Sequence, residues 1–91
     1  MILNFSFFGN FQTYFGSQKT IELHSSNLKE ALAEFASHFP SGTDLLFDGD
    51  KNIRCHLIIQ VNKKRVLAAQ AETVILKEND EIVIYPPVSG G

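Results

Sequence analysis

The chain has 91 residues, 44% of them hydrophobic and 20% charged, which predicts a single globular domain with a modest core rather than a disordered segment. Its net charge of −2 weighs against nucleic-acid binding, which usually needs a basic surplus. The one cysteine, Cys55, excludes an internal disulfide and cannot supply the thiolate ligands of an iron–sulfur cluster.

Two alternating stretches predict a β-hairpin at the start of the chain. The first runs from Ile2 to Phe8, and its odd-numbered residues would face the core. Phe8 breaks the alternation, so we expect it on the outer face near the end of the strand. After a loop that holds two glycines, Lys19–Leu23 alternates again, with Ile21 and Leu23 inward.

The clearest helix signal spans residues 27–39. Asn27 is a good N-cap residue, and Glu30 follows it at the spacing of a capping box. Pro40 disfavours helical geometry in the residue before it and ends the helix. One helical face is apolar; its residues are Leu28, Ala31, Leu32, Phe35, Ala36 and Phe39.

The second half of the chain predicts mainly strands. Residues 43–50 are ambiguous between a loop and a short helical turn. There follow a central strand (56–61), a turn (62–64), a short strand (65–67), a connection anchored by Leu76 (72–79) and a last strand (81–85) that two prolines end. Strands around one good helix predict an α+β fold in which the helix packs on one face of the sheet.

The most unusual motif is the final Pro86-Pro87-Val88-Ser89-Gly90-Gly91, directly after a predicted strand. The prolines favour a stiff, extended exit from the sheet. Glycines lack a Cβ, so the backbone can thread a narrow active site. From Val88 to Gly91 the chain spans at most about 14 Å. We therefore divide the sequence into a domain, residues 1–87, and a tail, residues 88–91.

This ending resembles that of the MoaD family, the small subunit of molybdopterin synthase, one of the ubiquitin-like sulfur carriers that also include ThiS. The segment Phe7-Phe8-Gly9 is similar to the end of the family's first strand, and residues 27–39 match its single helix. Residues 57–62 and the later positions Leu76, Asp80, Ile82 and Ile84 also fit. The resemblance implies a β-grasp (ubiquitin-like) fold, a mixed sheet packed on one main helix, with a flexible C-terminal Gly-Gly tail.

Three dipeptides depart from the family pattern. Gln12-Thr13 stands where the family often has Arg-Glu, and Asn62-Lys63 where it usually has Asn-Gly. Asn79-Asp80 replaces Gly-Asp before the last strand. This last change is mild, because Asn tolerates positive φ better than most residues.

The resemblance implies a carrier subunit that is not itself catalytic and binds no cofactor. An E1-like (MoeB-like) adenylating enzyme would use ATP to activate the carboxylate of Gly91, and a sulfur donor would displace AMP to leave a thiocarboxylate. A MoaE-like large subunit would then draw Gly90 and Gly91 into its active site. There the sulfur would pass to a pterin precursor and build the dithiolene of molybdopterin.

A carrier of this kind needs an apolar docking surface beside its tail. The candidate partner-binding residues are Phe8, Phe11, Tyr85, Pro86, Pro87, Val88 and Ser89. Aromatic residues are enriched at the centres of interfaces, which supports this interpretation. An equally supported alternative is that Phe11 and Tyr85 only cover the edge of the core.

Other reactive side chains favour structural interpretations. Cys55, next to a strand, is expected to be a small core residue rather than a reactive thiol. The three histidines are scattered in sequence and are expected at the surface rather than at a metal site. The acidic residues Glu78, Asp80 and Glu81 predict a solvated turn that could steer a basic partner. The sequence contains no nucleophile–base, phosphate-loop or metal motif.

Several other functions stay open. The chain could carry sulfur for thiamine synthesis, tRNA thiolation or cysteine synthesis. It could instead be a protein modifier that joins Gly91 to a lysine of its target, or an interaction module with an inert tail. No stretch approaches the roughly 20 apolar residues of a membrane span, and no signal peptide is visible. We expect a cytoplasmic protein without nucleic-acid or membrane partners.

Overall fold

Five strands form one mixed sheet in the computed structural model, which describes residues 1–86. The strands are β1 (Ile2–Phe7), β2 (Gln18–Glu22), β3 (Ile58–Val61), β4 (Lys64–Val66) and β5 (Glu81–Tyr85). Their order is β2-β1-β5-β3-β4. Strands β1 and β5 pair in parallel at the centre, whereas the three other pairs are antiparallel. This topology confirms the predicted β-grasp fold.

Three helices and two 3-10 turns connect the strands. They are α1 (Phe11–Phe15), α2 (Leu28–Ser37), the turn Pro40–Gly42, α3 (Thr43–Leu46) and the turn Ala68–Thr73. The main helix, α2, lies between β2 and β3 in the chain and buries its apolar face. The ambiguous stretch after Pro40 therefore does hold a helical turn, α3. The helix α1 and the second 3-10 turn were not predicted.

The predicted cap of α2 is confirmed. Asn27 has extended backbone, and its Oδ1 accepts a hydrogen bond from the N–H of Glu30 at 2.9 Å. The helix ends at Ser37, slightly earlier than predicted, because Pro40 keeps the residue before it out of helical geometry. The N–H of Phe39 still donates to the carbonyl of Ala36 at 3.0 Å and closes the last turn.

An aromatic cluster lies between the sheet and α2. The inward residues of β1 are buried, and the ring centroids of Phe5 and Phe7 lie 4.5 and 5.3 Å from that of Phe35. Phe15, on α1, approaches Phe7 at 4.7 Å. These are the separations that aromatic pairs favour. The predicted alternation of β1 is confirmed, and α1 covers one end of the same core.

The predicted turn between β3 and β4 is confirmed, although Lys64 already belongs to β4. Asn62 and Lys63, its central residues, have φ of 51° and 71°. Positive φ at both positions is what a two-residue type I′ hairpin requires. The side chain of Asn62 joins this turn to β5, since its Nδ2 donates to Asp80 Oδ1 at 2.9 Å and its Oδ1 accepts from the N–H of Glu81 at 3.0 Å.

The acidic residues before β5 also make structural hydrogen bonds. Glu78 Oε2 accepts a hydrogen bond from the N–H of Ile2 at 2.7 Å. Asp80 Oδ2 accepts from the N–H of Lys77 at 2.8 Å. Two members of the predicted solvated cluster therefore tie the start of β5 to its surroundings.

The expectation that Cys55 lies in the core is wrong, because its side chain is exposed. The N–H of Leu57 donates to the carbonyl of Arg54 at 3.2 Å, which closes a turn with Cys55 at a central position. Strand β3 begins only after this turn, at Ile58. Leu57 and Ile59 fill the core at this point instead.

Candidate functional site

The place where the chain leaves the sheet is fixed by a contact between Gly9 and Pro86. Strand β5 ends at Tyr85, and Pro86 is the last described residue. Gly9 has φ of +65°, and a Cβ at this position would lie 2.7 Å from Pro86 Cγ. A side chain on residue 9 would therefore displace the proline. We call this place, formed by Gly9, Tyr85 and Pro86, the tail exit.

Two aromatic rings stack beside the tail exit. The ring centroids of Phe8 and Tyr85 are 4.7 Å apart, with an angle of 12° between the ring planes. Phe8 is 42% exposed and Tyr85 is half-buried. The N–H of Phe8 donates to the carbonyl of Ile84 at 3.2 Å, which keeps the chain alongside β5 after β1 has ended. Both rings lie on the face of the sheet opposite the buried residues Phe7 and Ile84, as alternation requires.

This pair belongs to a longer apolar row across the open face of the sheet. Ile58 is the antiparallel partner of Tyr85 and is half-buried. Leu67 follows Val66, the last residue of β4, and is 56% exposed. Because Val66 pairs with Ile59, Leu67 continues the row beside Ile58. We call Phe8, Tyr85, Ile58 and Leu67 the apolar band.

Sequence reasoning found half of this band. Phe8 was recognised because it breaks the alternation of β1, and Tyr85 because it directly precedes the prolines. Ile58 was hidden in an apolar run, although its position between the inward residues Leu57 and Ile59 was a usable signal. Leu67 was missed because its place beside Ile58 depends on the register of β3 with β4.

The other predicted site residues divide into two groups. Phe11 is only 2% exposed and packs in the core on α1, with its ring centroid 6.3 Å from that of Phe15. Its ring therefore does not stand out from the surface as a docking side chain, which agrees with the alternative that it covers the edge of the core. The remaining predictions lie outside the described residues: Pro87, Val88, Ser89, Gly90 and Gly91.

The three histidines, His24, His38 and His56, are exposed, as expected. Within residues 1–86 no three His, Cys, Asp or Glu side chains come together in a way that could hold a metal ion. None of the helices in this part of the chain has both the length and the apolar character needed to cross a membrane.

The carboxyl group of Glu34 has a displaced pKa. It holds the loop at residues 24–25, which is far from the tail exit in sequence. The hydroxyl of Ser25 donates to Glu34 Oε1 at 2.7 Å, and the N–H groups of His24 and Ser25 donate to the same carboxylate at 2.9 and 3.0 Å. The Ser25 hydroxyl, followed by these N–H groups, holds the pKa of Glu34 below its ordinary value despite an opposing effect of burial. This carboxylate joins α2 to the end of the first hairpin.

Comparison with solved structures shows the same fold in proteins of low sequence identity. SAMP1 from Haloferax volcanii, small archaeal modifier protein 1, is 20% identical, with a TM-score of 0.85 over 100% of both chains. A Pyrococcus furiosus protein provisionally named molybdopterin converting factor, subunit 1, is 20% identical with a TM-score of 0.74, over 97% of this chain and 99% of that one. A chain of the Amycolatopsis orientalis BexX/CysO complex is 20% identical with a TM-score of 0.73, over 98% of this chain and 99% of that one.

Comparison with sequences gives the family. No match was found among curated proteins. The model of the ThiS family matches residues 5–91, which include the whole sheet except the first residues of β1 and extend through the tail. The β-grasp topology and the tail exit at the end of β5 agree with that match. The chain therefore belongs to the ThiS family of ubiquitin-like sulfur carriers.

Proposed function

We propose that the chain is the sulfur-carrier small subunit of molybdopterin synthase, and that the carboxyl end of Gly91 carries the sulfur. The observation that best supports this proposal is the tail exit itself. Strand β5 leads the chain to Pro86 beside the apolar band, so a protein that docks on the band is next to the point from which the tail starts. The Pro-Pro-Val-Ser-Gly-Gly ending adds support, because the glycines suit a narrow active site.

The proposed chemistry takes place on the carboxylate of Gly91. One of its oxygens attacks the α-phosphorus of ATP, and pyrophosphate leaves. A sulfide-equivalent donor then attacks the carbonyl carbon of the acyl adenylate, AMP leaves, and a thiocarboxylate remains. An unactivated carboxylate is charged and resonance-stabilised, so ATP is needed before sulfur can be added. The adenylating enzyme supplies the catalytic residues for the activation, and the large subunit supplies those for the later transfer of sulfur to the pterin precursor.

The apolar band serves as the docking surface in this proposal. A stacked aromatic pair that is partly accessible, next to a half-buried aliphatic residue, is typical of interface centres. There is one tail, and the band lies beside its exit, so two partners that use the band cannot occupy it together. The MoeB-like adenylating enzyme and the MoaE-like large subunit would therefore bind in turn and compete for the same carrier.

Two alternatives use the same tail exit. The likeness to a chain of the BexX/CysO complex favours sulfur delivery in a different pathway, such as thiamine synthesis, tRNA thiolation or cysteine synthesis. The likeness to SAMP1, whose name describes a modifier, favours the joining of Gly91 to lysines of target proteins. Both begin with adenylation of the tail and differ in the acceptor.

The experiment combines the chain with the E1-like enzyme of the same organism, ATP and a sulfide source, and measures the intact mass of the product. We expect the mass increase of one oxygen-to-sulfur exchange, absent from a variant that lacks Gly90 and Gly91. Adding the large subunit and the pterin precursor should then yield molybdopterin. A thiocarboxylate that forms but yields no molybdopterin would move the assignment to another sulfur pathway. Conjugates to lysine would indicate a modifier.

A further inference from the structure

A cleft of about 540 Å3 opens beside Pro86, the last described residue before the tail. Phe11, Leu45 and Leu57 contribute its apolar lining. Four polar residues complete the lining, and all are exposed: Asn10, Asp44, Arg54 and His56. The cleft is distinct from the apolar band, because no residue of the band contributes to it.

The guanidinium group of Arg54 is held in place at this cleft. Its Nε donates to the backbone carbonyl of Asp44 at 2.6 Å, and the backbone N–H of Arg54 donates to the carbonyl of Leu46 at 2.9 Å. These bonds anchor both ends of the residue to α3. A side chain that is already ordered loses less entropy when it binds a partner.

The charge of Arg54 is not matched within the part of the chain that the structure describes. Although the carboxylate of Asp44 also lines the cleft, residues 1–86 contain no salt bridge that involves Arg54. The hydrogen bonds of its side chain use Nε only, which leaves the two terminal nitrogens of the fork for another molecule. Such a fork matches the two oxygens of a carboxylate.

We infer that an acidic side chain of the E1-like adenylating enzyme enters this cleft and pairs with Arg54. The inference rests on the proposed function, because only a protein that receives the tail must come close to Pro86. Since the cleft is lined by Pro86 itself, it falls within the area such an enzyme covers. A cation covered by a partner without a matching anion is costly, so this area of the enzyme should supply a carboxylate.

We assign this carboxylate to the adenylating enzyme rather than to the large subunit, because every candidate function needs the adenylating enzyme for its first step. Sulfur transfer to molybdopterin, sulfur transfer in another pathway and protein modification all begin with adenylation of the tail. The apolar lining of the cleft would hold the methylene groups of a Glu side chain, and Asn10 and His56 add neutral polar groups to the lining. The carrier as a whole is acidic, so this attraction is local to the cleft.

The test measures ATP–pyrophosphate exchange by the enzyme as a function of carrier concentration. Arg54→Gln should raise the KM for the carrier about tenfold at low salt and leave kcat unchanged, because the reacting carboxylate is untouched. Arg54→Lys keeps the positive charge but lacks the forked guanidinium group, so its KM should lie between those of the wild type and Arg54→Gln. Lys77→Gln is the matched control, since it removes one positive charge before β5, at the end of the strand away from Pro86.

Added salt distinguishes a charge pair from a loss of packing. The KM of the wild-type carrier should rise with ionic strength more steeply than that of Arg54→Gln. Equal KM values for Arg54→Gln and Lys77→Gln, in a carrier that is still adenylated, would overturn the inference and leave the proposed function intact. A wild-type carrier that is not adenylated at all would overturn both. Thermal unfolding of each variant confirms that the kinetic effect does not come from misfolding.

Discussion

Gly9 lies so close to Pro86 that a Cβ on Gly9 would be 2.7 Å from the Cγ of the proline. The backbone of Gly9 also has positive φ, which disfavours any residue with a side chain. Gly9→Ala should therefore lower the free energy of unfolding by about 2 kcal/mol. Urea denaturation checks this. Gly49→Ala is the control, because a Cβ there meets nothing within 4 Å, and it should change stability by less than about 0.5 kcal/mol.

The stacked pair at the tail exit should matter for binding more than for stability. Phe8→Ala should weaken binding to the large subunit at least about tenfold, because aromatic residues dominate interface energies. Its effect on unfolding should stay below about 1.5 kcal/mol, since the ring is partly exposed and the stack is a single pair. Calorimetric titration measures the binding, and urea denaturation measures the free energy of unfolding.

An exposed apolar residue elsewhere provides the control for this binding prediction. Ile75 is 65% exposed and forms a bridge with Asn27, at the start of α2 rather than at the tail exit. Ile75→Ala should leave binding to the large subunit unchanged. Equal losses from Phe8→Ala and Ile75→Ala would contradict docking on the apolar band.

The turn between β3 and β4 offers a stabilising substitution. Lys63 has φ of 71°, a conformation that costs a residue with a Cβ about 1–2 kcal/mol. Lys63→Gly removes that strain and should raise the free energy of unfolding by about 0.5–1 kcal/mol, after the greater chain entropy of glycine is deducted. Lys64→Gly makes the same chemical change in β4, where it should destabilise by a similar amount. Gains in both variants would show that the strain at Lys63 is not the cause.

The hydrogen bonds to Glu34 predict a dependence of stability on pH. Because the folded state lowers the pKa of this carboxyl, its contribution is fully present above the pKa that Glu34 has in the unfolded chain and is lost as the pH falls through the lower, folded value. Glu34→Gln should therefore be less stable than wild type at pH 7, and the difference should shrink as the solution is acidified. Urea midpoints between neutral and acid pH measure this.

A control for Glu34 must lose the same charge without losing such hydrogen bonds. Glu22, exposed on β2, meets this condition, since no hydrogen bond to its side chain is found within residues 1–86. Glu22→Gln should follow the wild-type pH profile. A difference for Glu34→Gln that grows toward acid pH would refute the assignment.

Most of the fold was predictable because its elements carry regular patterns. The alternation of β1 and β5 and the capped, one-sided face of α2 reflect burial against one core, so each appears as a period in the sequence. The helix α1 does not appear as a period in the sequence, because five residues with two buried phenylalanines are too few to show one. Its existence depends on packing against the finished core, and for that reason the sequence could not decide between a docking role and burial for Phe11.

The candidate site was predictable where it depends on residue types that are close in sequence. It was not predictable where it depends on how distant segments pair. The tail motif and Phe8 are visible in the sequence alone. The place of Leu67 beside Ile58 follows from the register of two strands, and the cleft at Arg54 follows from a turn that brings it to Asp44. Cys55 was misplaced for a similar reason, because the start of β3 is set by the turn at residues 54–57 and not by the apolar run.

The parallel pairing of β1 with β5 has a consequence for how the protein is made. These strands are the first and last that the structure describes, and they are neighbours at the centre of the sheet. A nascent chain on the ribosome cannot complete this sheet until β5 has emerged, and contacts so distant in sequence form slowly. The strand that completes the sheet is also the strand that leads to the tail, so a chain that has not finished folding cannot present a correctly placed tail to an enzyme.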